Sequence, residues 1–600
     1  MNLSDYVLKF LVSKKIKDVF LLTGGAISFM IDAFSRNKKI KYTCVAHEQA
    51  AAIMADAYSR FEPNLSCTMV TSGPGATNLI TGIACSWFDS IPAIHITGQV
   101  NSHEKLGAQP GTKYTRQIGF QETDIVSITK PITKFSYQLK NPNEIKYILE
   151  KACHIAQSGR PGPVVIDIPM DFQKTIINPS KLVGFKAPKQ QIKTKILNAK
   201  IKKVIALIKK ASRPVILIGG GIKISRSEKK LDQLLKKLKI PVVTTWSGVD
   251  VIEHSSNKYI GNVGVYGSRS ANFTVQNSDL LLCLGSRLDT RITGGTPSSF
   301  ARNSKVVVVD IDKNELSKER GLKINLKINE DLSVFLENLN KQIKVYQNQE
   351  QGKWLKKCLD WKSKYPIIKK EYYNQKKFVN PYVFFEYMSD LLDNKSIIIV
   401  DAGGNQTWAL QAFKIKKGQK LFSGFGHQPM GYALPASIAL AKLKSKSKIV
   451  AINGDGGIQI NIQELQTVVA NKLPVKIIVL NNNGYGIIKQ FQELYLNKRF
   501  EATTSSSGVT NPNFKKVSEA YGINYNLIKD NNKIKQVLKK AIRSNKPEFI
   551  EVLLKSDQKI IPKLQFGNPI EDLSPLLSRS EFTSNMSVKT VARSKKYESN

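Results

Sequence analysis

An acidic residue and a run of asparagines follow two apolar segments in the C-terminal third of the chain. The stretch IVAINGDGGIQINIQELQTVVANKLPVKIIVLNNNGYG, residues 449–486, has the order strand, glycine turn, helix and strand, with Asp455 after the first strand and Asn482 after the second. The carboxyl ends of parallel strands lie at one edge of a sheet, where open α/β sheets bind ligands. We therefore expect the two side chains to lie close together. A carboxylate, an amide oxygen and the backbone oxygen of Gly484 are ligands that Mg²⁺ takes beside a phosphate.

The glycines around these residues fit a diphosphate bound through that metal. Gly454, Gly456 and Gly457 would let the backbone approach a phosphate closely, and the following helix would add N–H donors. A simpler interpretation needs no ligand, because Asp455 could cap the helix that begins near Ile460 while the asparagines form an Asx turn. This segment alone leaves both interpretations open.

The elements that position these residues follow a repeating pattern. Short β-rich runs alternate with helix-length amphipathic stretches, which favours an α/β fold of doubly wound parallel sheets. A chain of 600 residues is long enough for several domains of ~150–200 residues. We predict domains at 1–180, 190–345 and 375–560, and a partly disordered extension at 561–600. Polar stretches near 185–196 and 343–378 are predicted to be connectors.

One segment of the first domain repeats the layout of the asparagine-containing segment. CTMVTSGPGATNLITGIACSWFDSIPAIHITG, residues 67–98, also has the order strand, glycine turn, helix, proline and strand. The first copy lacks the Asp and Asn pair. We therefore expect the first and third domains to be related folds on either side of a different middle domain.

Composition excludes several classes of protein. Lys and Arg number 90 against 47 Asp and Glu, but they are scattered along the chain without a nucleic-acid motif, so the excess predicts a basic surface that attracts anionic substrates. No run approaches the ~18 apolar residues that cross a bilayer, and the first residues lack a signal-peptide pattern. The six cysteines form no C-x-x-C pair and are expected to be buried thiols. These features predict a cytoplasmic protein with no membrane or nucleic-acid partner.

Motifs along almost the whole chain resemble the thiamine-diphosphate-dependent acetolactate synthase family. They are VAHEQAAAIMADAYSR, TSGPGATN, GQV, GFQETD, SGRPGPVVIDIP, DAGGNQTW, PMGYALPA, and G-D-G followed by N-N about 27 residues later. The resemblance implies a pyrimidine-binding, a middle and a diphosphate-binding domain, with Mg²⁺ on Asp455, Asn482 and Gly484. It also implies a homodimer or tetramer with active sites at the dimer interface, and a possible small regulatory subunit.

The resemblance assigns roles to further residues. Glu48 would hydrogen-bond N1′ of the aminopyrimidine ring, so that the cofactor removes its own C2 proton. Met430 matches the apolar residue that bends the cofactor. The expected cofactor-binding residues are Gly404, Asn405, Met430, Gly454, Asp455, Gly456, Gly457, Asn482, Gly484 and Gly486.

The segments PVILIGGGIK and GNVGVYGSRSANFTVQNSDLLLCLGSRLDTRITGG resemble the flavin-binding middle domain of the same family. A flavin here would be structural, because acyl transfer moves no net electrons. A G-G-G turn alone is a weak signal, and related enzymes keep this domain without flavin. The residues that the resemblance assigns to FAD are Gly219, Gly220, Gly221, Gly264, Gly285, Arg287, Asp289, Arg291 and Asp310.

The acceptor substrate is left open by the sequence. The family match predicts that pyruvate is decarboxylated and that its two-carbon unit is transferred to a second 2-keto acid, in a pocket formed by Gln99, Phe120, Lys134, Ile488 and Phe491. A second hypothesis keeps this chemistry with another acceptor, such as a nucleotide-linked keto-sugar. A third is a non-catalytic cofactor-binding protein or a basic nucleic-acid binder.

Two departures from the family keep the second hypothesis open. Phe491 stands where synthases carry Trp, and Ile487 and Ile488 stand where they carry Met and Val. The loop SGFGHQPMG, which contains His427, is about one residue longer than theirs.

Overall fold

The chain folds around three parallel six-stranded sheets in the computed structural model, which describes residues 1–62, 65–188, 194–346 and 348–595. The first sheet contains β1 (Asp18–Leu21), β2 (Lys41–Cys44), β3 (Ser66–Val70), β4 (Ala93–Gln99), β5 (Phe135–Gln138) and β6 (Val164–Pro169). The middle sheet contains β7 (Pro214–Ile218), β8 (Val242–Thr244), β9 (Tyr259–Asn262), β10 (Leu280–Leu284), β11 (Lys305–Asp310) and β12 (Leu326–Asn329). The third contains β13 (Ile397–Val400), β14 (Lys420–Phe422), β15 (Ile449–Gly454), β16 (Lys476–Asn481), β17 (Asn524–Ile528) and β18 (Glu548–Leu553).

Helices cover both faces of each sheet. The first domain has α1 (Leu3–Ser13), α2 (Ser28–Arg36), α3 (Glu48–Phe61), α4 (Pro74–Thr77), α5 (Ile80–Asp89), α6 (Ile125–Thr129), α7 (Ile145–Gln157) and α8 (Met170–Lys174). The middle region has α9 (Thr194–Lys210), α10 (Gly221–Ile224), α11 (Glu228–Lys237), α12 (Arg269–Gln276), α13 (Thr290–Thr293), α14 (Lys313–Ser317), α15 (Leu332–Gln342) and α16 (Gln349–Lys364). The third domain has α17 (Pro381–Leu391), α18 (Gly404–Ala412), α19 (Ala433–Leu443), α20 (Asp455–Ile460), α21 (Glu464–Ala470), α22 (Gly486–Tyr495), α23 (Phe514–Ala520) and α24 (Ile534–Arg543), and the extension adds α25 (Arg579–Ser584) and α26 (Ala592–Lys595).

The strand orders confirm the doubly wound α/β fold and the relation between the outer domains. The first sheet has the order β2-β1-β3-β4-β6-β5, and the third, β14-β13-β15-β16-β18-β17, is the same order counted within its own sheet. The middle sheet, β12-β11-β10-β7-β8-β9, has the order found in dinucleotide-binding folds. Strands such as β10, with the sequence LLLCL, are buried along their whole length because helices cover both faces.

Small side chains let the first and third domains pack closely. Helix α3 buries Ala51 and Ala55, and helix α19 buries Ala436 and Ala439 in the same core cluster. Because alanine side chains are small, the two helices can approach closely, and they contact each other over much of their length. This packing fixes the start of α3, where Glu48 lies, relative to the third domain.

The segment after the middle domain is more than a connector. Helix α16 occupies much of the predicted connector at 343–378, and its Trp354 and Trp361 are buried in the core of the middle domain. The polar composition of the stretch obscured these two residues, which lie on the same helical face, two turns apart at i and i+7.

The described part of the C-terminal extension, residues 561–595, packs against the rest of the chain, and the expected partial disorder of the extension stays a prediction. Leu573 and Phe582 are buried against the middle domain, and the carboxylate of Glu571, fully buried, pairs with Arg302 at 2.8 Å. Apolar burial and this ion pair hold the extension in place. Residues 596–600 lie outside the described part of the chain.

Five of the six cysteines are buried and Cys44 is exposed, so the expectation of buried thiols is wrong for Cys44, which ends the edge strand β2. Across the described ranges, every helix is too short or too polar to span a bilayer.

Candidate functional site

The loops after β13 and β15 meet where the third sheet reverses its strand order. The two strands are neighbours, with Val400 beside Ile452, whereas the chain passes from β13 to β14 on the opposite side. Such a switch point leaves a crevice at the carboxyl ends of the strands, where open α/β sheets bind ligands. Residues 401–405 and 454–457 border this crevice, and β16, which ends at Asn481, lies next to β15.

Asp455 reaches from one of these loops to the next. Its side chain is buried, and Oδ2 accepts hydrogen bonds from the backbone N–H of Gly484 at 3.0 Å and from Nδ2 of Asn511 at 2.9 Å. Burial raises the pKa of Asp455, and no cationic side chain among the described residues offsets that burial. An unpaired buried carboxylate is costly, so this position fits a cation. Helix α20 begins at Asp455 itself, and the bond to Gly484 shows that the carboxylate does more than cap a helix.

Asn482 and Gly484 present further oxygens beside Asp455. The Asn482 side chain is largely buried, and it forms no hydrogen bond within the described ranges, so its amide oxygen is available to a ligand. Gly484 has φ +149°, and a Cβ there would lie 2.4 Å from the carbonyl oxygen of Thr503. A Cβ on Gly486 would lie 2.3 Å from Nδ2 of Asn482. Gly484 is therefore required by its backbone conformation, whereas a side chain at Gly486 would displace the amide of Asn482.

The loop after β15, residues 454–457, also leaves little room for side chains. A Cβ on Gly456 would lie 2.3 Å from the ring of Tyr485, and a Cβ on Gly457 would lie 2.1 Å from Oδ2 of Asp401. Groups of three His, Cys, Asp or Glu residues that could cage a metal are not found in the described part of the chain. One carboxylate beside an open glycine loop is the donor set with which Mg²⁺ binds a diphosphate, and the residues therefore fit such a group.

Two polar residues that support this site were not predicted. Asp401 accepts hydrogen bonds from the backbone N–H groups of Gly431 at 3.0 Å and Tyr432 at 2.9 Å, and burial raises the pKa of its carboxyl to about 6. Asp401 follows the apolar strand IIIV, so the reasoning applied to Asp455 could have found it. Asn511 lies in an irregular loop, TNPNF, that carries no such signal.

The other expected cofactor residues lie around the same crevice. Gly404 and Asn405 begin helix α18, and Nδ2 of Asn405 donates to the carbonyl oxygen of Asp401 at 2.7 Å. A Cβ on Gly454 would lie 3.4 Å from Oδ1 of Asn405, so the two loops touch. Met430 is partly buried in the turn that Asp401 holds.

Glu48 occupies the first position of α3, at the edge of the first sheet. Its side chain is 6% exposed, and Oε2 accepts a hydrogen bond from Nδ2 of Asn78 at 2.9 Å. The backbone N–H groups of Ala46 and His47 donate to Oε1 of Glu464, at 3.0 and 3.1 Å. A carboxylate of the third domain thus holds the junction from which Glu48 projects.

Two residues expected in the substrate pocket lie inside the first domain. Gln99 is buried, and its Nε2 donates to Oδ2 of Asp167 at 3.0 Å and to the carbonyl oxygen of Thr123 at 2.9 Å. Lys134 donates to the carbonyl oxygen of Ser158, and burial lowers the pKa of its ammonium to about 8. Both side chains therefore have protein partners.

The other three residues expected in the substrate pocket are exposed to solvent or packed against the C-terminal extension. Phe120 is 85% exposed and Ile488 is 49% exposed. The ring of Phe491 lies 5.0 Å from that of Tyr495 and 5.7 Å from that of Phe566, measured between centroids. Phe566 belongs to the C-terminal extension, so this contact could not be expected from the helix that carries Phe491.

A cavity of about 1010 Å³ lies between the middle domain and loops of the other two. It opens at the loop after β7, which lies at the switch point between β7 and β10. The residues expected to bind FAD that line it are Gly220, Gly221, Gly285, Arg287, Asp289, Arg291 and Asp310.

The other two residues expected to bind FAD, Gly219 and Gly264, do not line the cavity. A Cβ on Gly219 would lie 2.1 Å from the carbonyl oxygen of Gly285, and one on Gly264 would lie 2.3 Å from that of Arg291. Both glycines allow close backbone packing under the cavity. The guanidinium of Arg291 lies over the ring of Trp246, 4.9 Å from its centroid.

The loop SGFGHQPMG of the third domain, residues 423–431, also lines this cavity. Nη2 of Arg291 donates to Oε1 of Gln428 at 3.2 Å, and the ring of His427 stacks on Phe88 with centroids 5.6 Å apart. The cavity has the size and the arginines that a dinucleotide requires, so its residues fit FAD.

Comparison with known proteins covers all three domains. The models of the thiamine pyrophosphate enzyme family match residues 1–128 as the N-terminal TPP binding domain, 201–339 as the central domain and 401–552 as the C-terminal TPP binding domain. The chain is 33% identical over 569 residues to the acetolactate synthase large subunit of Cyanidium caldarium, covering 93% of this chain and 94% of that protein. It is 31% identical over 564 residues to the acetolactate synthase large subunit of Lactococcus lactis, covering 94% of each.

Each match lies within the part of the chain that forms one of the three parallel sheets, and the matched segments contain Glu48, Asp455 and Asn482. The sequence similarity to acetolactate synthase large subunits extends over more than nine tenths of the chain. The chain belongs to the acetolactate synthase family of thiamine-diphosphate-dependent enzymes.

Proposed function

We propose that this enzyme decarboxylates pyruvate and transfers the resulting two-carbon unit to a second 2-keto acid. The observation that carries the proposal is the buried, unpaired carboxylate of Asp455 beside the free amide of Asn482 at the sheet switch point. Asp455, Asn482 and the backbone oxygen of Gly484 would hold Mg²⁺ on thiamine diphosphate. When bound, this cofactor supplies the carbon nucleophile for decarboxylation and carbon–carbon bond formation.

In this proposal the protein residues bind and orient the cofactor, and one of them exchanges a proton with it. Asn78 occupies Oε2 of Glu48, which leaves Oε1 to hold a proton at the pyrimidine nitrogen of the cofactor. Glu464 keeps the start of α3 in place through the N–H groups of Ala46 and His47. Asp401 orients the turn that carries Met430, against which the cofactor would bend.

The cavity in the middle domain is proposed to bind FAD as a structural group. Arg287 and Arg291 would face the pyrophosphate, and the glycines after β7 would let the backbone approach it. A flavin held there would contact all three domains, since Arg60 and Gln428 also line the cavity. The reaction needs no electron from it.

A homo-oligomer with active sites between subunits is also proposed. Tyr114, Phe120 and Ile488 are 91%, 85% and 49% exposed, and apolar side chains so open to water favour coverage by another chain. The related large subunits carry a name that implies a small subunit, and this chain is proposed to accept one as a regulatory partner.

The products of the purified enzyme test the proposal. With thiamine diphosphate, Mg²⁺ and pyruvate, we expect one CO₂ for each two pyruvates consumed, and acetolactate as the product by mass spectrometry. Added 2-ketobutyrate should give acetohydroxybutyrate as well. Pyruvate consumption that requires a nucleotide-linked keto-sugar would instead support the second acceptor class, and no release of CO₂ under any of these conditions would contradict the proposal.

Phe491→Trp should change the choice of acceptor while leaving pyruvate decarboxylation nearly intact. The larger indole would press on Tyr495 and Phe566 and reduce the space beside Ile488. A difference of one methylene in an apolar pocket changes discrimination by about 1–3 kcal/mol. Mass spectrometry should therefore show altered product ratios when pyruvate, 2-ketobutyrate and a bulky keto-sugar compete.

Phe185→Trp is the matched control, because Phe185 contacts Tyr147 and His154 in the first domain instead. Product ratios that stay identical in the Phe491 variant would show that this residue does not govern acceptor choice.

A further inference from the structure

A second, smaller cavity lies between the middle domain and the third domain. Its volume is about 210 Å³, and it is lined by the loop before β9, the end of α16 and the end of α18. At about 30 Å³ for each water-sized group, it has room for roughly seven non-hydrogen atoms. None of the residues assigned above to thiamine diphosphate, FAD or the substrate lines it.

Three basic side chains face this cavity. They are His254, Lys362 and Lys414, and burial together with the two nearby lysines lowers the pKa of His254 to about 4. The ammonium of Lys414 pairs with Glu386, which also accepts a hydrogen bond from Tyr373. The charges of Lys414 and Glu386 therefore offset each other, and Lys362 is the cation that remains.

Lys362 has no carboxylate partner among the described residues. Its Nζ donates to the backbone oxygens of Tyr259 at 2.7 Å and His254 at 3.3 Å, which uses two of its three protons, and it lies over the ring of Tyr259, 5.1 Å from the centroid. Burial lowers the pKa of its ammonium to about 8, which means that the surrounding protein disfavours the charge. Buried charges in proteins are normally paired, so an anion would relieve this cost.

The other residues that line the cavity indicate the chemical character of the rest of the ligand. Ile367, Ile368, Leu410 and Phe413 give the cavity a largely apolar surface. The hydroxyl groups of Ser268 and Ser270, 3.0 Å apart, are also part of the lining. A single cation without a carboxylate partner, between largely apolar walls, suits one negative charge on an aliphatic body. It suits a phosphate dianion poorly, because that ion requires more donors.

We propose that this cavity is a binding site for a small aliphatic monocarboxylate, whose carboxylate pairs with Lys362 and whose hydrocarbon body packs on Ile368 and Leu410. The site joins the middle and third domains and is separate from both cofactor sites. It is filled by a compact molecule of about the size of a five-carbon acid.

The probe is isovalerate, with isoamyl alcohol as its uncharged counterpart, titrated by calorimetry and by ligand-observed NMR. We expect saturable binding of one isovalerate per chain, and at least tenfold weaker binding of the alcohol. Lys362→Met should weaken isovalerate binding at least tenfold. Lys353→Met, on the same helix but 65% exposed and paired with Glu350, should leave it unchanged.

A second variant keeps the test decisive if Lys362→Met does not fold. Ile368→Trp should fill the cavity and abolish isovalerate binding while the circular dichroism spectrum stays that of the parent protein. Isovalerate that binds both variants as well as the wild type would place its site elsewhere and overturn the proposal. So would the absence of saturable binding at about 100 mM, a concentration that fills even very weak sites.

Inorganic phosphate is titrated in parallel, and tighter binding of phosphate than of isovalerate at this cavity would overturn the assignment of ligand class. The titrations use protein without thiamine diphosphate and measure no turnover. Their result is therefore independent of the proposed reaction.

Discussion

Replacement of Asp455 by alanine should abolish binding of Mg²⁺ and thiamine diphosphate together. The metal neutralises the diphosphate that it bridges, so loss of its carboxylate ligand removes the attraction for both. Calorimetric titration of the purified protein with the cofactor, at fixed Mg²⁺, measures the effect directly. No heat of binding should remain at concentrations that saturate the wild type.

Asp455→Asn separates the charge from the hydrogen bonds. Alanine leaves the N–H of Gly484 without its acceptor, at a cost of about 1–3 kcal/mol of folding free energy, whereas Nδ2 of Asn511 keeps longer bonds to Oδ1 of Asn481 at 3.3 Å and of Asn483 at 3.4 Å. Asparagine keeps the volume and one acceptor oxygen but removes the negative charge, and it should also lose the cofactor. Asp557→Ala removes an exposed carboxylate of the same domain and should bind normally. Unchanged affinity in Asp455→Asn would show that the metal is held elsewhere.

Much of the fold could be predicted because the signal was local. The run EQAAAIMADAYSRF became α3 over the same residues, and the runs PVILI and LLLCL became fully buried strands. The repeated order of strand, glycine turn, helix and proline indicated that the outer domains are related, and their sheets have the same strand order. The position of Asp455 beside the loop that contains Asn482 followed from the sheet edge alone.

What could not be predicted depends on contacts between distant parts of the chain. The hydrogen bond from Asn511 to Asp455 joins residues that are 56 apart, and nothing near Asn511 indicates a partner. The contact of Phe491 with Phe566 arises because the extension folds back over α22. Trp354 was obscured by a lysine-rich and glutamine-rich helix whose average composition is polar, although its buried face is aromatic.

The outer domains also show how one fold acquires two roles. Both have the same strand order, and in each a carboxylate follows the carboxyl end of a strand, Glu48 after β2 and Asp455 after β15. The third domain has a carboxylate that nothing described in the chain neutralises, Asp455, which suits a metal and a diphosphate. The first domain has Glu48 at the start of a helix, held by Asn78, which suits a neutral ring nitrogen that exchanges a proton.

Glu48→Gln should leave cofactor binding intact and lower turnover by about 10²–10⁴-fold, because the amide cannot exchange a proton with the pyrimidine nitrogen. This loss corresponds to roughly 3–5 kcal/mol of activation free energy. The fold should be preserved, since the amide oxygen of glutamine can still accept the hydrogen bond from Asn78. Two measurements check the prediction: the rate of pyruvate consumption at saturating thiamine diphosphate, and NMR of the exchange of the cofactor C2 proton with D₂O.

Glu150→Gln is the matched control, because Glu150 lies on α7 of the same domain, outside both cavities, and accepts a hydrogen bond from the backbone N–H of Phe185 at 2.7 Å. It changes the same functional group in the same domain, and it should exchange the C2 proton and turn over at the wild-type rate. A merely structural role for Glu48 would slow turnover only through weaker cofactor binding, and the loss would disappear at saturation. Turnover near the wild-type rate in Glu48→Gln, with the cofactor bound, would exclude this carboxylate from the proton transfer and move the search to another group beside the pyrimidine ring.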